Sequence, residues 1–164
     1  MSKPRAELID PRDAGVRRIE LKKPVFDAGA VERAENALHE MSSEMALWLD
    51  ADVARLQAAR VDADLQRWSS ASVEALYAVA HDLKGLGGTC GSPIATQLAA
   101  SLCRLIETEA GQALACSDPS LAQAHVDALR AVVRNGVRTT DHPVGSALLQ
   151  ALETRVAALG VAPH

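Results

Sequence analysis

The sequence predicts an all-α protein with an antiparallel arrangement of helices. Alanine and leucine dominate a hydrophobic fraction of 48%, whereas aromatic residues make up 2% of the 164-residue chain, a composition suited to helices packed closely through small side chains. Apolar residues recur at intervals of three and four along most of the chain, and the pairs Ser92-Pro93 and Asp118-Pro119 each join a capping residue to a first-turn proline. The connections between these patterns are short, which makes successive helices antiparallel neighbours. A chain of this length buries one core and leaves a tail, so one domain is expected.

Residues 1–26 contain Pro4, Pro11 and Pro24 among scattered charges and read as an N-terminal arm in which Val16, Ile19 and Leu21 are the residues able to dock. The helical body is expected over 27–160. Asp27 is a candidate N-cap for a pattern of Val31, Ala34, Leu38, Met41, Met45, Trp48, Val53 and Leu56, which gives one long helix to about residue 60 or two broken near Asp50. Asp62 to Ser70 reads as a turn or short helical piece in which Leu65 and Trp68 cover one end of the core. From Ser72 the stripe Val73, Leu76, Ala80, Leu83 and Gly87 defines the next helix, which Gly91 can end in a left-handed conformation. Ser92-Pro93 opens a helix with Ile94, Leu98, Leu102, Leu105 and Ile106 inward, reaching Gly111. Asp118-Pro119 opens another that carries Leu121, Ala124, Ala128, Leu129, Val132, Val133 and Val137 to about Arg138. A last pattern of Val144, Leu148, Leu152, Val156 and Leu159 stops at Gly160, after Asp141-His142-Pro143.

The run from Ala80 to Gly91, AHDLKGLGGTCG, is the part of the chain that carries chemistry. At roughly 100° per residue His81 lies about 120° from the middle of the apolar stripe, so it faces solvent. Its neighbours one and two turns away are Glu74, Tyr77, Ala78, Lys84, Gly85 and Gly88, of which three carry a methyl group or nothing. Three glycines at 85, 87 and 88 weaken a continuous helix by roughly 3 kcal/mol, and the compensating use expected is close approach of a partner to the imidazole. Lys84, one turn beyond His81, places an ammonium where the oxygens of a transferred phosphoryl group would lie. A helix that ends early, with the glycines as an exit loop, is the plainer alternative.

His81-Asp82-Leu83-Lys84-Gly85 and the following Gly91 resemble the signature of histidine-containing phosphotransfer (HPt) domains, and the resemblance extends over roughly residues 30–138. It implies an antiparallel four-helix bundle, with an N-terminal arm and an additional C-terminal helix in this chain. It further implies that His81 accepts a phosphoryl group from a receiver-domain aspartate and passes it to another response regulator. On that resemblance Lys84 is the charge beside the phosphoacceptor, Gly85 is the clearing residue, and Tyr77, Ala78, Gly85 and Gly88 line the surface that a receiver meets. At Cys103 some members of the family carry a glutamine that hydrogen-bonds the histidine. The implied partners are receiver domains and a hybrid histidine kinase, with Mg²⁺ supplied by the receiver and no cofactor bound by this chain.

No nucleotide loop is present: no strand precedes the glycine run, Cys90 stands at the third glycine of a dinucleotide fingerprint, and no G-x-x-x-x-G-K-[ST] sequence occurs. The expectation is a phosphoryl carrier, not an enzyme that phosphorylates itself. A helical interaction module that carries no phosphate is the alternative function. The formal net charge of −4 divides into a basic arm, with seven basic and four acidic residues in 1–26, and an acidic remainder with 10 and 17, which disfavours nucleic acid as a partner. No apolar run suits a membrane span and no signal region follows Met1, so a cytoplasmic monomer is expected. Cys90, Cys103 and Cys116 read as reduced packing residues, and no metal site is expected. His39, His125, His142 and His164 read as surface or boundary residues.

Overall fold

A computed structural model describes residues 28–160. The N-terminal arm, the Asp27 cap and His164 lie outside these residues. Six helices and no strand occur among the described residues: α1 (Ala28–Leu65), α2 (Ser70–Thr89), α3 (Pro93–Glu107), α4 (Glu109–Ser117), α5 (Ser120–Arg134) and α6 (Pro143–Ala157). None of them is long and apolar enough to cross a membrane. The chain divides into two compact units, Met1–Ala37 and Leu38–His164. In the larger unit α3 is the central helix, packing against α2, α4, α5 and α6.

The inward stripe of α2 is Val73, Leu76, Ala80, Leu83 and Gly87, all buried as the spacing predicts. The helix begins two residues earlier than expected, because the Ser69 hydroxyl accepts the Ser72 N–H at 3.3 Å and so caps it. At the other end Gly91 takes φ +67°. The Gly91 N–H then donates to the Gly88 carbonyl at 3.1 Å and the Ser92 N–H to the Gly87 carbonyl at 2.8 Å, which satisfies carbonyls that a helix end leaves open. Gly136, φ +66°, closes α5 in the same way through Val137 N–H on the Val132 carbonyl at 2.9 Å, so α5 stops at Arg134 instead of Arg138. The freed Arg138 carbonyl accepts the Ile94 N–H at 3.1 Å and ties this loop to the start of α3. Ser92 precedes α3, but its hydroxyl makes no capping bond. Its carbonyl instead accepts the Ala95 and Thr96 N–H groups.

Several expectations are corrected. Of the two readings of α1 the single long helix holds, and it runs past residue 60 to Leu65, so the turn before α2 shrinks to a few residues. Leu65 is 79% exposed and covers nothing, while Trp68 is buried at the turn with its indole N–H on Asp64 at 2.8 Å. The buried side chains of α1 are Leu49, Val53, Leu56 and Ala63, whereas Val31, Ala34, Leu38, Met41 and Trp48 of the expected stripe are exposed. α3 ends at Glu107 because Thr108 turns extended, and the short α4 follows with the Thr108 hydroxyl accepting Gly111 N–H at 3.0 Å. Gly111 sits so close to the Leu105 carbonyl that an added Cβ would lie 1.6 Å from its oxygen, which is why glycine occupies the break. Asp118 ends α4, and its carboxylate accepts the Ser120 N–H at the start of α5. On α6, Val144 is exposed, while Gly145 is buried against Val137 and Ile94.

The largest correction concerns His125, which is fully buried instead of lying at the surface. Its Nδ1–H donates to the Leu121 carbonyl at 2.7 Å, leaving Nε2 to accept the Ser101 hydroxyl at 3.0 Å, so both ring nitrogens are satisfied in the neutral form. Burial pulls its pKa from 6.5 to about 4. Arg104 of α3 pairs with Glu153 of α6 nearby. Above pH 6.5 neither folded nor unfolded chain binds the His125 proton. Between 6.5 and 4 the unfolded chain takes it up and the fold does not, so stability falls as the pH falls. Urea unfolding is expected to show a loss of about 2 kcal/mol between pH 7 and pH 5. That slope should flatten in His125→Asn. An equal slope in the variant would place the titrating group elsewhere.

Candidate functional site

The glycine run stays helical. α2 continues through Gly85, Gly87 and Gly88 to Thr89, so the reading of an early helix end with an exit loop does not hold. His81, Asp82, Lys84, Gly85 and Gly88 are exposed along the outer side of the helix, Ala78 is exposed one turn before His81, and Tyr77 is half-buried beside it. All six of the residues singled out in sequence, Tyr77, Ala78, His81, Lys84, Gly85 and Gly88, therefore share one outward strip.

The three glycines have two different jobs. A Cβ on Gly85 would meet nothing within 4 Å, and one on Gly88 only the Thr96 hydroxyl at 3.7 Å. A Cβ on Gly87 would lie 2.7 Å from the Thr96 hydroxyl and 2.8 Å from the Thr96 backbone nitrogen. Gly87 is thus required inside the molecule, where α2 presses against the first turn of α3. The assignment of all three glycines to partner approach is corrected for this one. The open strip consists of Gly85 and Gly88.

Polar residues around the strip come from α1 and α3. The Tyr77 ring lies 5.9 Å from the His81 ring at a tilt of 41°, and its hydroxyl donates to the Glu107 carboxylate at 2.8 Å. That bond to an acceptor that is itself charged pushes the Tyr77 pKa up to about 12, so the phenol stays protonated and the link from α2 to the end of α3 persists. Asp82 faces α1, with the Arg55 guanidinium 3.8 Å away and both side chains exposed. The Cys103 side chain is fully buried, and burial raises its pKa to about 11, partly offset by the nearby Lys84 ammonium. Cys103 is a packing residue, and no protein hydrogen bond reaches the His81 ring among the described residues. The polar side chain that α3 brings to the strip is Glu107, one turn beyond Cys103. Glu107 was not singled out in the sequence, although its i+4 spacing from Cys103 sets it on that face. No cluster of three metal-ligating side chains occurs among the described residues.

Among the described residues the arrangement presents an exposed imidazole with no hydrogen-bond partner, an ammonium one turn on, and bare backbone between and beyond them. The two kinds of glycine give opposite expectations for stability. Gly85→Ala should raise the unfolding free energy by about 0.5–1 kcal/mol through helix propensity alone. Gly87→Ala should lower it by about 1–2 kcal/mol, because the overlap with the Thr96 backbone outweighs that gain. Chemical denaturation of both variants checks this, and a stabilised Gly87→Ala would mean that α2 and α3 are not in close contact there.

Comparison with known proteins finds no matching family model, no matching curated protein and no matching solved structure.

Proposed function

We propose that the protein is a phosphoryl carrier of a phosphorelay, with His81 as the group that receives and releases the phosphoryl moiety. The observation that carries this reading is the combination on α2 of an exposed histidine with open backbone at Gly85, kept helical although glycine opposes it. A passive surface gains nothing from that combination, whereas a partner that must bring phosphorus within bonding distance of a ring nitrogen does. The resemblance of His81-Asp82-Leu83-Lys84-Gly85 to the HPt signature supports the same reading, and with it we propose an antiparallel four-helix bundle and a cytoplasmic setting.

In the proposed transfer the lone pair of a His81 ring nitrogen attacks the phosphorus of a receiver's aspartyl phosphate in line. The P–N bond forms as the P–O bond breaks, and the aspartate leaves as a carboxylate. The proton on the other ring nitrogen has no internal base among the described residues and exchanges with water. Lys84 stabilises the equatorial oxygens as charge spreads over them. The second transfer reverses these steps toward the aspartate of another response regulator. Mg²⁺ belongs to the receiver, and this chain contributes the nucleophile, the ammonium and the approach path.

Incubation with phosphorylated receiver domains should label the wild type with acid-labile, base-stable phosphate and leave His81→Gln unlabelled. Label retained in His81→Gln would overturn the assignment, and no label on the wild type from any receiver would favour the passive module. Lys84→Ala should slow transfer by less than about 10²-fold, the reduction expected for an exposed charge, with unchanged unfolding. Gly85→Gln should block transfer while leaving the protein at least as stable, since the new side chain stands in solvent on the approach path. Normal transfer by Gly85→Gln would refute the role of the open strip.

A further inference from the structure

The neighbours of His81 one turn away along α2 are Tyr77, Ala78, Lys84 and Gly85. Ala78 offers a methyl group, Gly85 no side chain and Lys84 an exposed, flexible chain, so Tyr77 is the one rigid body among them. A side chain on a helix leans back over the turn that precedes it, which brings the His81 imidazole toward Tyr77 and away from Gly85. The two rings lie 5.9 Å apart at a tilt of 41°, a separation at which aromatic pairs attract. The Tyr77 ring is itself anchored twice. Its body packs half-buried against the core, and its hydroxyl donates to the carboxylate of Glu107, the last residue of α3, at 2.8 Å. With the O–H committed to Glu107, the contact with His81 is ring against ring.

We infer that Tyr77 and Glu107 position the imidazole for phosphoryl transfer: Glu107 fixes the Tyr77 ring, and that ring confines His81 to one rotamer on the open strip. The inference rests on the reading of His81 as a phosphoryl carrier and names what aims its nucleophile. No hydrogen bond reaches the His81 ring among the described residues, so the ring contact is the interaction that restrains it. Without the clamp an imidazole on a helix has roughly two χ1 wells and two ring orientations, and about a quarter of the molecules then hold the reacting nitrogen as the intact site does. In-line attack needs that aim in place when the phosphorus arrives, so the loss falls on the transfer step and not on docking. Glu107 acts through Tyr77, and both are positioning residues.

The full chain with Glu107→Ala, Tyr77→Phe or Glu107→Gln tests this. The bond they alter is exposed, so circular dichroism should report the helices intact in all three. Three-bond NMR couplings at His81 should show one χ1 rotamer in the wild type and averaging in Glu107→Ala and Tyr77→Phe. Glu107→Gln, whose amide oxygen still accepts the phenol proton, should restore the single rotamer. Single-turnover transfer from a phosphorylated receiver domain should be about fourfold slower at saturation in Glu107→Ala and Tyr77→Phe, with half-saturation unchanged, and should return to the wild-type rate in Glu107→Gln. Averaged couplings in the wild type, a single rotamer kept in Glu107→Ala and Tyr77→Phe, averaging with no loss of rate, or a Glu107→Gln as slow as Glu107→Ala would each overturn the proposal. An ordered His81 that no receiver phosphorylates would instead overturn the carrier reading while upholding the clamp.

Discussion

The contact between Gly87 of α2 and Thr96 of α3 sets the geometry on which the candidate site depends. With no side chain at 87, the last turns of α2 lie against the first turn of α3, and the left-handed Gly91 reverses the chain between them in a few residues. That fixes the rotation of α2 about its own axis. Val73, Leu76, Ala80 and Leu83 must then face the core, and His81 and Lys84 are turned outward. The position of the histidine is a consequence of packing one and a half turns away.

Two features keep the strip around His81 open and ordered at once. The bond from Tyr77 to Glu107 clamps the aromatic neighbour of the histidine to the end of α3, and the break at Thr108 leaves Glu107 at that end instead of in the middle of a longer helix. Cys103 is fully buried and brings no polar group to the strip. The imidazole is thus flanked on one side by a fixed ring and on the other by bare backbone. A partner meets little that must be displaced.

Much of α2 was legible because its stripe and its terminating glycine are encoded within about twenty residues, and local periodicity determines which side is buried. α1 was misread for a physical reason: its exposed line of Leu38, Met41 and Trp48 and its buried line of Leu49, Val53, Leu56 and Ala63 have nearly the same period and lie one residue out of step, so spacing alone does not tell them apart. The periodicity already set Gly87 on the buried stripe and Gly85 and Gly88 beside His81, but what Gly87 packs against, the Thr96 backbone, lies on another helix and was not legible locally. His125 escaped for a similar reason. Its hydroxyl partner, Ser101, lies on another helix, and no local pattern distinguishes a histidine that is satisfied in the core from one at the surface. The break at Thr108 was missed because apolar spacing continues through it, while the close approach that forces it involves Gly111 and the Leu105 carbonyl.

Locating the phosphate within the chain tests the proposed role of His81 in phosphoryl transfer most directly. After exposure to phosphorylated receiver domains, fragmentation mass spectrometry at neutral pH should place a single phosphoryl group on His81, with His39, His125 and His142 unmodified. A phosphate found on any other side chain, with His81 bare, would contradict it.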